Sequence, residues 1–408
     1  MLSHEAARAV VIEVVSRNLP PRSTEPVDLA ADPVAAVNRI LAENLIADRD
    51  YPPFHRSIRD GFACRASDAP APGARLRLLG ESRAGAPFAG EVVPGACVQI
   101  FTGAAVPAGA DAVVMQEYAR SEAGQVFLSA EARPGQHIVR AGAELRGGEI
   151  ALPAGARLGY AELGLAAQLG HARMRVNRRP RVAILSTGDE VVPVDAQAGP
   201  FQIRDSNSVS LAAQVAAAGG EPLLLGNSGD QRDDLHARIA QGLAADALIL
   251  TGGVSVGKYD LVEPVLRELG AEFLFDQVAI RPGKPAVFGI CGGKPVFGLP
   301  GNPVSTMVTF EILAAPAIEA LAGARPGPLP LFHARLLCGA EEKPGLAHFL
   351  PARVTFSKEG PLVEALPWQG SGDLRAVAQA NCFLVLQEPH LKIAPGDWAS
   401  VLPRRNFL

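Results

Sequence analysis

From Arg181 to Ala322 short apolar runs alternate with amphipathic stretches: RVAILS at 181–186, a helical pattern over 208–218, PLLLG at 222–226, a second pattern over 234–243, ALILT at 247–251 and a third over 260–269. Few folds satisfy that rhythm. A short apolar run ending in polar or glycine residues reads as a strand buried on both faces, and helix-length returns between such strands make the neighbours parallel. The pattern predicts a doubly wound, mostly parallel sheet. It closes with a long helix over 304–322, announced by Asn302-Pro303, a cap residue followed by proline at the first helical position. In such sheets ligands bind beyond the carboxyl ends of the strands. Four polar, glycine-bearing loops serve that edge: STGDE at 186–190, TGGVSVGKYD at 251–260, RPGKP at 281–285 and GLPGNPVS at 298–305.

The flanking sequence has a different texture. Residues 3–17 and 33–47 carry apolar residues at helical spacing behind Ser3 and Asp32-Pro33, predicting two exposed amphipathic helices. From about 50 to 145, proline and glycine punctuate short runs such as VQIF at 98–101, AVVM at 112–115 and QVFL at 125–128, which predicts a small β-rich domain. Residues 146–178 read as two strands and a helix over 160–169 returning to the N-terminal helices, so the first domain is discontinuous. After 323–328 short β-like runs resume. The expected α/β multidomain division is 1–48 plus 146–178, 49–145, 179–325, and 326–408 as a C-terminal β domain.

Charge and cysteine usage exclude several classes. A net charge of −4 argues against non-specific nucleic-acid binding, which needs a basic face to displace counterions, so any phosphate binding is local. The five cysteines form no C-x-x-C pair and the eight histidines are scattered singly, which predicts packed, reduced thiols and no cysteine or histidine metal site. The N-terminus has no basic stretch followed by an apolar core, and no apolar run approaches the roughly 20 residues that cross a bilayer. The expectation is a soluble cytoplasmic protein without a membrane partner.

The central loop nearly matches a phosphate-binding P-loop, with Gly252, four residues, then Gly257 and Lys258. Tyr259 then stands where a P-loop needs a magnesium-binding hydroxyl, so the ATPase reading fails. Its glycines, Gly252, Gly253 and Gly257, still let backbone N–H groups approach a phosphate. Asp260, three residues before Glu263, reads equally as a helix cap or a ligand. Asp230 reads equally as a ligand or part of a helix-start cluster, in which Asp233 is the simpler cap. Asp189 and Glu190, adjacent carboxylates at a strand's end, favour a cation or hydroxyl contact. Arg281 and Lys284, held on a stiff proline-bearing backbone, suit an oxyanion. The loops SIRDGFA at 57–63 and IFTGAAVPAGAD at 100–111 are, taken alone, ordinary polar turns.

Taken in order, these strings, with IRDSNS at 203–208 and the late GSGDL and NCFLVL, resemble the molybdopterin molybdenumtransferases, the MoeA and gephyrin E-domain family. The resemblance implies an elongated homodimer of four domains per subunit, the last barrel-like, with a site shared between the α/β domain of one subunit and the small β domain of the other. It implies adenylylated molybdopterin and molybdate as substrates, Mg²⁺ as cofactor, AMP as product and a molybdopterin adenylyltransferase as partner. On matching positions Asp60 and Thr102 reach across the interface, Glu190, Asp230 and Asp260 hold Mg²⁺, and Arg281 and Lys284 bind oxyanion oxygens. Ser186, Thr187, Gly188, Asp205, Ser206, Asn207, Ser255, Pro300, Gly301, Asn302, Pro303 and Ser305 line the substrate site, joined by Arg353 and Ser371 of the last domain. The chain departs from the family at Lys258, usually acidic, at Arg281, commonly lysine, at Ala143-Glu144, which replaces a Glu-Asp pair, and at 373–376, where a serine-rich stretch is expected. A non-catalytic molybdopterin-binding scaffold and a nucleotide hydrolase on the same α/β domain are the alternative readings.

Overall fold

The computed structural model describes residues 1–19, 22–229, 231–253 and 261–405. Two compact units divide the chain: Met1–Ala42, Gly155–Gly159 and Met174–Leu408 in one, Glu43–Ala154 and Tyr160–Arg173 in the other.

In the first unit the strands Glu221–Ser228, Arg181–Thr187, Ala247–Thr251 and Lys294–Leu299 lie side by side in that order, all parallel; Val287–Cys291 and Glu272–Phe275 extend the sheet antiparallel. The two-residue period of each strand splits one apolar run between two cores. Val182, Ile184, Ala247 and Ile249 pack toward the N-terminal helix and the helix after 303, whereas Ala183, Leu185, Leu248 and Leu250 pack toward helices Arg232–Gly242 and Val262–Glu268. These are the predicted two layers over a mostly parallel sheet.

The helix over 303–321 is long and apolar enough to cross a membrane, but 83% of that window is buried inside the fold, so it serves as the core helix. It takes one π-helical turn over Phe310–Ala314. Pro316 has no N–H to donate to Ile312, four residues earlier, and the ladder must detour. Arg8, on the N-terminal helix His4–Arg17, supplies the missing donor: its Nη1 bonds the Ile312 carbonyl at 3.1 Å and its Nη2 that of Gly327 at 2.8 Å.

A six-stranded, barrel-like sheet completes this unit, ordered Ile280–Arg281, Ala347–Ser357, Gly360–Ala365, Phe332–Leu336, Trp398–Pro403 and Cys382–Leu386, with the last five strands forming the closed ring. The last strand pairs back onto Ala347–Ser357 and closes the edge. Arg281 lies in register with His348, so the barrel wall fixes the backbone where the RPGKP loop begins.

The second unit holds a six-stranded sheet in the order Ala112–Met115, Gly61–Cys64, Ala96–Ile100, Arg75–Ser82, Gln125–Leu128 and Ala119–Glu122. Gly61 is required there, because a Cβ would stand 2.0 Å from the Val114 carbonyl oxygen. Burial pushes the thiols of Cys64 and Cys97 in this sheet, and of Cys382 in the barrel, up to about 12. All five cysteines are free and only Cys338 is exposed.

The N-terminal helix forms as expected, with Ser3 Oγ accepting from Ala6 N–H at its start. The second expected helix, over 33–47, does not form. Asn38 adopts a left-handed φ of 62°, Ile40 and Leu41 bridge Arg157 and Val176, and Leu45–Ile46 pairs with Ile150–Leu152. Asp233 is likewise not a cap: helix Arg232–Gly242 starts behind Gln231, with Asp233 inside its first turn. Helix Val262–Glu268 starts behind Leu261, and Asp260 lies outside the described residues.

Candidate active site

The parallel strands deliver their polar residues to one edge, where a web of hydrogen bonds sets the loops. Asn207 donates to Thr251 Oγ1 at 2.9 Å and to the Gly301 carbonyl at 2.7 Å, while Thr251 Oγ1 donates to the Pro300 carbonyl at 3.1 Å. Asn227 Nδ2 holds the STGDE loop through the carbonyls of Gly188 and Val191, at 2.9 and 3.1 Å. The loops at 251 and 298–305 are thereby fixed to each other, and the STGDE loop to the end of strand Glu221–Ser228. Thr251 opens the TGGVSVGKYD loop that the sequence singles out, whereas Asn227 did not stand out, although it too is a polar residue at the end of an apolar run, and that is the signal that finds it.

The glycines of the central loop are demanded by this closeness. A Cβ at Gly252 would meet the Thr187 carbonyl oxygen at 2.6 Å, at a φ of +88° that disfavours side chains, whereas a Cβ at Gly301 would make only a 3.5 Å contact with Gly252 Cα. Gly252→Ala should therefore lower the thermal midpoint and Gly301→Ala should leave it near wild type, as read by scanning calorimetry. Equal midpoints would mean that the loop relaxes without cost.

Ser186 and Asp205 turn away from solvent. Ser186 Oγ donates to Asp205 Oδ2 at 2.7 Å, and Asp205 caps helix Ser206–Ala217 by accepting from Ser208 N–H at 2.9 Å. They hold the loops and offer little to a ligand directly. Thr187 is buried beneath Gly252 and Gly253, and Ser206 opens the helix that carries Asn207.

Around the RPGKP loop the α/β domain and the barrel enclose a cleft of about 540 Å³ lined by Arg281, Lys284, Pro300, Asn302, Ser305 and Ser371. Asn302 occupies the helix N-cap position without a side-chain cap, and its Nδ2 donates to Ser371 Oγ at 2.9 Å; Pro303 takes the first turn, and Val304 N–H bonds the Ser371 carbonyl at 3.0 Å. Ser371 thus joins the cleft. Arg353 does not line it: the side chain is exposed and donates to the Gln379 carbonyl at 3.0 Å. Arg281 and Lys284 are both exposed, and neither has an ion pair among the described residues. Two cations on a stiff loop beside a helix N-terminus, without ion pairs among the described residues, have the chemistry that an anion site uses. Leu346, Trp368 and Gln369 also line this cleft, and nothing in the sequence pattern placed them there.

The edge also suits a divalent cation in part. The Glu190 carboxylate is exposed and folds over Gly188, where a Cβ would stand 2.6 Å from Oε2. Carboxylate oxygens are the donors that Mg²⁺ takes. No group of three metal-ligating residues converges among the described residues. The other two expected ligands, Asp230 and Asp260, lie outside them, as do Ser255, Gly257 and Lys258.

Models of the MoeA N-terminal region (domain I and II), the probable molybdopterin binding domain and the MoeA C-terminal region (domain IV) match residues 2–170, 183–320 and 333–403. The molybdopterin molybdenumtransferase of Nostoc sp. is 36% identical, covering 96% of this chain and 92% of its own, and that of Haemophilus influenzae is 35% identical over the full length of both. The chain belongs to the MoeA family. A crystal structure of the molybdopterin biosynthesis MoeA protein from Pyrococcus horikoshii, 31% identical, covers 97% of this chain and 98% of its own with a TM-score of 0.75.

In the second unit of this MoeA-family chain, two loops that looked ordinary one at a time are tied to each other. Asp60 Oδ1 accepts from Thr102 N–H at 2.7 Å and from Thr102 Oγ1 at 2.8 Å. The backbone N–H first, and the hydroxyl second, hold the Asp60 carboxyl below the usual carboxylate range. A depressed carboxylate contributes fully above its ordinary pKa, and its contribution is lost as pH falls through the lower folded value. Thr102→Val should raise the Asp60 titration midpoint toward the ordinary value in a carboxyl-detected NMR titration. An unmoved midpoint would assign the whole effect to the backbone N–H.

Proposed function

We propose that this chain inserts molybdenum from molybdate into the dithiolene of adenylylated molybdopterin with release of AMP. The observation that carries the reading is the pair of exposed cations, Arg281 and Lys284, without ion-pair partners among the described residues, in a cleft also lined by Pro300, Asn302 and Ser305 of the loop that follows the last parallel strand. Breaking a phosphoanhydride-type bond beside an incoming oxyanion gathers several negative charges in one place. Fixed cations lower the cost of that encounter, and they cost no reorganisation at the moment of reaction because proline and the barrel strand already hold their backbone.

In this reading Arg281 takes oxyanion oxygens with its planar fork and Lys284 serves as a point charge. The Gly253 N–H would face the phosphates, whereas that of Gly252 already donates to the Leu299 carbonyl at 3.2 Å. Glu190, with Asp230 and Asp260, would hold Mg²⁺, which when bound would neutralise phosphate charge. Asp60 and Thr102 would enter from the second subunit of a homodimer, with Asp60 kept ionised by its two bonds from Thr102. A molybdopterin adenylyltransferase would supply the substrate, and the reaction would take place in the cytoplasm.

The test is AMP release from adenylylated molybdopterin by the purified chain. It should require both molybdate and Mg²⁺, and Glu190→Ala should abolish it without lowering the thermal midpoint, since the carboxylate is exposed. Release that ignores molybdate would refute insertion and favour a hydrolase. Tight pterin binding without release would favour a scaffold.

A further inference from the structure

An oxyanion needs only the cations, yet the cleft holding Arg281 and Lys284 has a volume of about 540 Å³ and a second wall of Leu346 and Trp368. Such a volume is within the usual range for a small organic molecule, about 300–1,000 Å³, and a lone tetrahedral anion would leave most of it to water. Trp368 is partly buried and packs against both the core of the α/β domain and that of the barrel. Its loop is pinned on both sides: Leu366 N–H bonds the Pro351 carbonyl at 2.8 Å, and Gln369 N–H bonds Asp373 Oδ2 at 3.0 Å. An aromatic side chain held so firmly presents its free surface without paying to order it on binding.

We propose that Trp368, backed by Leu346, is a stacking platform for a planar fused heterocycle whose attached phosphate is taken by Arg281 and Lys284. The assignment rests on the cleft being the substrate site proposed above, and it makes Trp368 a determinant of which phosphorylated ligands are retained. A purine or a pterin ring would satisfy the same chemistry.

The chain has two tryptophans, and the other, Trp398, sits outside this cleft with the Arg335 guanidinium 5.3 Å from its ring. In the full-length Trp398→Phe variant Trp368 alone emits. Titration with AMP, with a pterin monophosphate and with ribose 5-phosphate should give saturable quenching by one or both ring-bearing compounds and none by the sugar phosphate. Which ring quenches identifies the source. Trp368→Leu should weaken binding of the quenching ligand by about tenfold and Trp368→Phe should restore most of it, as stacking of a base on an aromatic side chain predicts. The proposal is overturned if the ring-bearing compounds bind no tighter than ribose 5-phosphate in equilibrium dialysis, if they bind without altering Trp368 emission, or if Trp368→Leu keeps full affinity. The titration requires neither molybdate nor turnover, so quenching without AMP release would remove the insertion reaction and leave the platform standing.

Discussion

Lys284→Ala should lower molybdate-dependent AMP release by about 10²–10³-fold, the usual loss when one preorganised charge-stabilising group is removed, while the thermal midpoint stays where it was. The two halves of that expectation have separate causes. The loop does not rely on the side chain, because the Lys284 carbonyl accepts from both Val278 and Ala286 N–H at 3.0 Å and Gly283, at a φ of +114°, is wedged against Thr309. The ammonium is exposed and has no carboxylate partner among the described residues, so its removal strands no buried charge. Lost activity with unchanged stability is the mark of a group kept for a ligand. Molybdate titrations under steady state should show a raised KM if Lys284 binds the oxyanion in the ground state, and a lowered kcat if it acts when charge develops. Arg281→Lys should be milder than Arg281→Ala, since a point charge keeps the attraction and loses only the fork. Wild-type turnover in Lys284→Ala would remove the cation pair from the mechanism.

The parallel sheet was legible because a strand buried on both faces must be apolar throughout, and each such run ended in the residues that make the site. Gly252, Asn302 and Lys284 could be singled out for the same reason: they lie where a strand stops. Legibility failed where the partner is far away in the chain. Residues 33–47 have helical apolar spacing, but their backbone is claimed by Arg157, Val176 and the strand at 150–152, and no local pattern records that. Asn302 has the sequence context of a helix cap, yet Ser371, 69 residues downstream, takes its amide. Asp205 and Ser186 enter the expected substrate lining only through the family resemblance, and their mutual hydrogen bond appears only when helix and strand are packed. Trp368 and Leu346 belong to a barrel whose closure depends on strand pairings that the sequence pattern does not encode.

The largest stability effect is expected beside the core helix, in Arg405→Ala. Arg405 donates to Glu311 at 2.8 Å and to Glu319 at 2.6 Å, and the two carboxylates are only 11% and 16% exposed. Burial alone would lower the pKa of Arg405, as it does that of Arg8; the two carboxylates more than offset it and leave the Arg405 value raised. Glu311 also accepts from Gln214 Nε2 at 2.9 Å, so the network ties the chain's last described strand and the helix that carries Asn207 to the π-helical turn. Removing one member of a buried ion pair costs roughly 3–5 kcal/mol, mostly through the charge left behind, which for a unit of this size lowers the thermal midpoint on the order of ten degrees. If uncompensated charge is the cause, Arg405→Met combined with Glu311→Gln should be more stable than Arg405→Met alone. If the hydrogen bonds themselves are the cause, the double variant should be the less stable of the two. Calorimetry on the four proteins of that cycle separates the two causes, and a midpoint unchanged by Arg405→Ala would show that Glu311 and Glu319 are satisfied without it.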